Sequence, residues 1–114
     1  MQIEGSIGSV AVPATFIEHA AERFRLLSDP SRLRLLNALD TTAELPVGEL
    51  AERAGVSLST TSRHLHQLER AGLVARRRQG TTIYYRVADP MLRQLCDLMC
   101  ASVSARVAGL AEQL

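Results

Sequence analysis

Residues 56–87 constrain the fold most, because a helical pattern is followed at once by a pattern of two strands. "VSLSTTSRHLHQLERAGLV" predicts one helix that Ser57 or Ser59 caps at its N-terminus and that Gly72 closes. The continuation "LVARRRQGTTIYYRV" has alternating apolar and polar residues around a central Gly, which predicts a β-hairpin.

Helical projection divides this helix into two faces. Thr61, Leu65 and Leu68 point to one side, where we expect the core. The other side is polar and suits the major groove of DNA, because short side chains let the backbone approach and longer ones reach base edges. An ordinary solvated helix face is the alternative interpretation. The predicted DNA contacts on this helix and its N-cap are Ser57, Ser59, Thr60, Ser62, Arg63, His66 and Gln67.

The hairpin turns at Gln79 and Gly80, and the basic run Arg76, Arg77 and Arg78 lies on its first strand. We predict that these five residues form a basic wing that contacts phosphates or the minor groove beside the helix. A helix-turn-helix followed directly by a basic hairpin indicates DNA binding more specifically than either part alone.

Charge is unevenly distributed along the chain. The net charge is only +1, and all thirteen basic residues are arginines. Residues 57–88 contain six arginines and one acidic residue, whereas the rest of the chain contains seven arginines and eleven acidic residues. This asymmetry indicates that one segment meets a polyanion, although a solvated basic face would give the same counts.

The whole chain is predicted to be mainly α-helical with a β-hairpin wing. Residues 1–13 mix Gly and Ser without helical periodicity, which predicts a flexible N-terminal arm, and residues 14–114 predict a winged helix-turn-helix domain. In "SDPSRLRLLNAL", Asp29 and Pro30 fit the N-cap and the first position of a helix. The predicted apolar stripe of that helix is Leu33, Leu36 and Leu39.

Length and composition narrow the class of function. The 114 residues fit one domain, with no apolar run of membrane-spanning length and no signal-peptide pattern, which predicts a cytoplasmic protein without membrane contact. An enzyme would need a nucleophile, a base and an orienting group, and the three histidines form no such set. We therefore expect no catalysis, and His64 projects toward the core side.

From Ala20 to Val103 the chain resembles the ArsR/SmtB family of bacterial winged-helix repressors, in "LLSDPSRLRLLNAL", "ELAERAGVSLSTTSRHLHQLERAGLV" and "RRRQGTTIYYRVADP". The resemblance implies a homodimer, formed by the first and last helices, that binds a two-fold-related operator in double-stranded DNA. It also implies repression that an inducer, often a metal ion, relieves. By position, Ser59, Thr60, Ser62 and Arg63 would contact bases.

The inducer sites of that family are not matched here. Metalloid-sensing members have a segment like ELCVCDL at the start of the third helix, and "ELPVGEL" has Pro46 and Gly48 in place of the two cysteines. The last helix lacks the histidines that zinc, cobalt or nickel sensors use. His19, on the first helix, is a candidate ligand, although a surface histidine is more often incidental.

Cys96 and Cys100 lie one helical turn apart in the last helix. One interpretation makes them core residues, because Cys96 falls on the stripe with Met99 and Val103 that is expected at the dimer interface. A second makes them a soft-metal or thiol-redox sensor, whose further ligands would come from the partner subunit, His19 or free thiols. A third hypothesis is a DNA-binding subunit without its own inducer site that takes its signal from a partner protein.

Overall fold

The computed structural model describes residues 5–7, 10–39 and 43–112. In chain order these residues form β1 Gly5–Ile7, β2 Val10–Val12, α1 Ala14–Leu27, α2 Pro30–Ala38, β3 Leu45–Pro46, α3 Val47–Ala54, α4 Leu58–Arg70, β4 Val74–Gln79, β5 Thr82–Val87 and α5 Met91–Glu112. Across the described part of the chain, no helix has an apolar stretch long enough to cross a membrane.

Helix α2 begins as the sequence predicts. Asp29 Oδ1 accepts hydrogen bonds from the backbone N–H groups of Ser31 at 2.8 Å and Arg32 at 3.2 Å, and Pro30 occupies the first helical turn. The carboxylate therefore satisfies two N–H groups that have no partner within the helix. The same carboxylate lies close to a histidine of α4, so this cap is also part of the tertiary structure.

The predicted apolar stripe of α2 is wrong at one position. Leu33 is 40% exposed, whereas Leu35 is fully buried together with Leu36 and Leu39. The reason is Arg32, which points inward with Leu35 and Leu36 and so rotates the buried face by one position. The pattern of apolar residues alone does not predict that an arginine lies on the buried face of a helix.

Leucines from four helices form the centre of the core. Fully buried leucines come from α1, α2, α3 and α4, and Tyr85 and Val87 of β5 close the core from the sheet. Each fully buried leucine stabilises the fold by about 1.5–3 kcal/mol relative to an exposed one. The buried leucines at the centre are Leu26, Leu35, Leu39, Leu50, Leu65 and Leu68.

Helices α3 and α4 form the helix-turn-helix. Gly55 ends α3 in the left-handed region at φ 68°, and Ser57 caps α4 two residues later. Ser57 Oγ accepts a hydrogen bond from the N–H of Thr60 at 3.2 Å. Of the two serines considered as the cap, the structure therefore selects Ser57.

The wing belongs to a three-stranded antiparallel sheet in the order β3-β5-β4. The predicted hairpin is confirmed, with Val74 opposite Val87 and Gln79 opposite Thr82. Strand β3 was not predicted, because two residues are too few to show a period of two. Its residues Leu45 and Pro46 pair with β5 at the sheet edge, where a proline without an N–H is tolerated.

Strands β1 and β2 pair antiparallel with each other, from Gly5 opposite Val12 to Ile7 opposite Val10. The sequence predicted a flexible arm over residues 1–13, and Val and Ile in this segment favour strands instead. The flexibility itself is untested by this pairing, and residues 1–4, 8 and 9 lie outside the described residues.

Candidate nucleic-acid interface

Helix α4 has the two faces that the sequence predicts. Thr61, Leu65 and Leu68 are buried, and so is His64, as its projection toward the core predicted. The opposite face exposes short polar side chains, one arginine and one imidazole, which are side chains that can form hydrogen bonds with base edges. Its exposed side chains are Ser59, Ser62, Arg63 and His66, with Thr60 half-buried beside them.

Gln67 is held on the inner side of α4 by Arg32, a residue that the sequence analysis did not consider. The buried Arg32 donates from Nη1 to Gln67 Oε1 at 2.6 Å and from Nε to the carbonyl oxygen of Leu26 at 2.8 Å. One guanidinium therefore links the end of α1 and the start of α2 to α4. Gln67 stays a predicted DNA contact, but its amide oxygen is already engaged.

His64 completes this cluster. Its Nδ1 lies 3.2 Å from Arg32 Nη1 and its Nε2 lies 3.8 Å from Asp29 Oδ1. Because a guanidinium only donates, Nδ1 must accept, and the proton of the neutral ring lies on Nε2, toward Asp29. Burial lowers the pKa of His64, and the nearby Arg32 lowers it further.

We expect acid to weaken the fold through His64. Since its pKa in the folded state lies below the ordinary value of 6.5, the unfolded chain binds a proton first and the free energy of unfolding falls as the pH drops below 6.5. The replacement His64→Gln should make this free energy less dependent on pH between about 7 and 5, as urea unfolding measures it. The exposed His66→Gln is the control on the same helix, and an equal flattening in both variants would contradict the assignment.

The wing arginines already have partners within the chain. Arg76 Nε lies 3.3 Å from Glu69 Oε2, and Arg78 Nε donates to the carbonyl oxygen of Gly80 at 3.0 Å. Arg77 is held by Glu44, which the sequence analysis did not single out, at 3.0 Å from Nη2 to Oε1. The predicted basic run is exposed, and carboxylates neutralise part of its charge.

Gly80 allows the tight turn of the wing, with a left-handed φ of 63° that other residues adopt only with strain. Gln79, beside it, accepts a hydrogen bond from Arg77 Nη1 at 2.8 Å. All five predicted wing residues thus lie together at the exposed end of β4 and its turn.

Comparison with known proteins extends these observations. A family profile described as a helix-turn-helix domain matches residues 27–77. A probable mercury resistance operon repressor of Streptomyces lividans is 38% identical over 96 residues, which are 84% of this chain and 76% of that protein. A transcriptional repressor SmtB homolog of Synechocystis is 46% identical over 72 residues, 63% of this chain and 54% of that protein.

Among solved structures, a homodimeric winged helix-turn-helix DNA-binding domain from Mycobacterium bovis, described as a possible ArsR-family transcriptional regulator, matches with a TM-score of 0.73. The identity is 31%, and the match covers 82% of this chain and 86% of that chain. This chain belongs to the ArsR/SmtB family. Its family and fold are those of DNA-binding transcriptional regulators, not of enzymes.

In this ArsR/SmtB regulator, the segment compared with the metalloid-sensing pattern lies at the start of α3. Pro46 is the N-cap of α3 and Gly48 lies in its first turn, and neither side chain can bind a metal. Within residues 5–7, 10–39 and 43–112, no group of three or more His, Cys, Asp or Glu side chains is placed to hold a metal ion. His19 is exposed on α1 and borders a different hollow from the cysteines.

The two cysteines lie on the side of α5 that faces α2. Half-buried Cys96 and exposed Cys100 both border a cavity of about 320 Å³, whose apolar wall includes Leu36 and Leu92. Burial raises the pKa of the Cys96 thiol, and the neighbouring Cys100 raises it further. The sequence predicted that Cys96 shares a stripe with Met99, but Met99 is exposed and does not border this cavity.

Proposed function

We propose that this ArsR/SmtB regulator is a cytoplasmic, sequence-specific repressor that binds a two-fold-related operator as a homodimer. The observation that supports this best is the exposed polar face of α4, with Arg63 on it, on the same domain as the basic wing. Bases would be read by this face in the major groove, while the wing would bind phosphates or the minor groove.

The proposed dimer is supported by apolar side chains that the single chain leaves in solvent. Nine of them, on α1 and α5, are between 49% and 72% exposed. Apolar surface of this extent is typical of an interface with another protein, and the related Mycobacterium bovis domain is homodimeric. The nine side chains are Phe16, Ile17, Phe24, Met91, Leu98, Met99, Val103, Val107 and Leu110.

Two sources of the inducing signal remain proposals. The Streptomyces lividans relative is a probable mercury resistance repressor, and Cys96 and Cys100 border one cavity of this chain. These two facts favour a soft metal ion or a thiol oxidant acting at the cysteines. The alternative is a partner protein that supplies the signal to a subunit without its own inducer site.

The function is tested by selecting genomic DNA fragments on the purified, reduced protein and measuring the mass of the complex by sedimentation equilibrium. We expect enriched fragments with a two-fold-related sequence, each bound by two chains. Enrichment of no sequence, or binding by one chain, would contradict the proposal. Challenge of the bound DNA with mercury, zinc, nickel and a thiol oxidant, repeated with Cys96 and Cys100 both changed to Ser, then separates the two signal sources.

We expect Arg63→Ala to relax the preference at one base pair of each half-site. If Arg63 forms paired hydrogen bonds with a guanine, its loss costs about 1–3 kcal/mol of discrimination there. Measured affinities for a panel of single-base operator variants check this result. Arg78→Ala is the comparison variant, since loss of a phosphate contact weakens binding to every sequence alike. Uniform weakening by Arg63→Ala would show that Arg63 contacts a phosphate.

A further inference from the structure

Glu44 engages Arg77 more completely than a simple surface ion pair would. Arg77 Nε lies 3.0 Å from Glu44 Oε1 and 3.1 Å from Oε2, and Nη2 lies 3.0 Å from Oε1. The third nitrogen, Nη1, donates to Gln79 Oε1 at 2.8 Å, and the guanidinium lies over the Tyr84 ring at 4.8 Å. Two of the three guanidinium nitrogens therefore donate hydrogen bonds before DNA is present, and the third lies within ion-pair distance of Glu44.

Glu44 lies next to the sheet that contains the wing, close to the strand that carries Arg77. Glu44 immediately precedes β3, and Pro46 of β3 pairs with Tyr84 of β5. Tyr84 in turn lies directly opposite Arg77 in the sheet register. Glu44 and Arg77 thus lie on opposite sides of β5 and their side chains meet across it. The hydrogen bond from Arg77 holds the pKa of the Glu44 carboxyl below its usual range.

Arg78 provides the contrast within the same strand. Its Nε donates to the carbonyl oxygen of Gly80, an uncharged acceptor. Among the residues that the structure describes, no carboxylate forms an ion pair with Arg78, whereas a phosphate that approaches Arg77 meets the carboxylate of Glu44 on the same guanidinium. Two anions that compete for one cation repel each other, and this repulsion is strongest at low salt.

We propose that Glu44 competes with the DNA backbone for Arg77 and thereby limits the affinity of this regulator for DNA. The proposal rests on the function proposed above. It assigns to Glu44, a residue in the segment between α2 and α3, control over how strongly the wing binds. The contact of Arg77 with a phosphate then contributes less to the binding free energy than that of an unpaired arginine. The regulator therefore dissociates from DNA more readily.

Glu44→Gln tests the proposal, because glutamine keeps the shape and one acceptor oxygen but removes the charge. At low salt we expect this variant to bind the operator about tenfold more tightly, with a log-log salt slope steeper by up to about 0.9, the value of one additional phosphate contact. In the Arg77→Ala background the gain should disappear. Glu22→Gln is the matched control, since it removes the same charge from an exposed ion pair with Arg25 on α1.

The outcomes separate this inference from the proposed function. Failure of the unsubstituted protein to bind any DNA would remove the function itself. If that protein binds but Glu44→Gln binds equally or more weakly, Glu44 does not compete with DNA. A gain of the same size with and without Arg77, or with Glu22→Gln, would mean that net charge alone is responsible and would also overturn the inference. Thermal unfolding of each variant verifies that the fold is intact.

Discussion

Replacing Arg32 with alanine is expected to lower the free energy of unfolding by about 3 kcal/mol, a large share of the stability of a domain of this size. The buried guanidinium donates to the carbonyl oxygen of Leu26 and to the side chain of Gln67, and it faces the ring of His64. Alanine would leave these acceptors without a donor in a place that water reaches poorly. Each lost hydrogen bond to a charged group contributes about 1.5–3 kcal/mol.

Urea unfolding of Arg32→Ala and Arg34→Ala measures the effect with a control two residues away on the same helix. Arg34 is exposed, so its replacement should change the free energy of unfolding by less than about 0.5 kcal/mol. Arg32→Lys should recover only part of the loss, because an ammonium cannot reproduce the planar fork that reaches two elements. A loss below about 1 kcal/mol for Arg32→Ala would show that the cluster contributes little to stability.

Replacing Arg77 and Arg78 together with alanine is expected to weaken binding to all DNA sequences and to flatten its salt dependence. The log-log slope should fall by about 0.9 if Arg78 alone contacts a phosphate and by up to about 1.8 if Arg77 does so as well, which corresponds to roughly 10-fold to 10²-fold weaker binding near 0.05 M salt. Because Glu44 already holds Arg77, Arg78→Ala alone should account for most of the change.

Titrations of operator DNA at several salt concentrations give the slope for the double variant and for each single variant. Replacement of Arg25 and Arg34, two exposed arginines outside the wing, is the control for net charge. A slope unchanged by the double replacement would exclude the wing from the contacts with DNA. A larger loss from Arg77→Ala than from Arg78→Ala would contradict the role assigned to Glu44.

The sequence predicted the structural features that depend on residues close to each other along the chain. The faces of α4 follow from a helical period, and the Asp29 cap and the Gly80 turn follow from the chemistry of single residues. The contacts it missed join distant segments: Arg32 with Gln67, and Glu44 with Arg77. An arginine looks the same in a sequence whether it meets solvent, a carboxylate or a buried amide, so only the folded chain assigns its partner.

The sequence also did not determine which neighbouring element the cysteines of α5 face. Their spacing predicted one face of α5, but the choice between the α2 side and the dimer side depends on how α5 packs. A helix of 22 residues with apolar side chains on several faces leaves that choice open in the sequence.

Strand β3 connects the wing to helix α3. Its last residue, Pro46, is also the cap from which α3 starts, and its backbone is bonded to the strand that forms half of the wing. A displacement of the wing would therefore also displace the start of α3. In the proposed homodimer, a rotation of one subunit relative to the other would therefore move α3, α4 and the wing of each subunit together and change the distance between the two α4 helices.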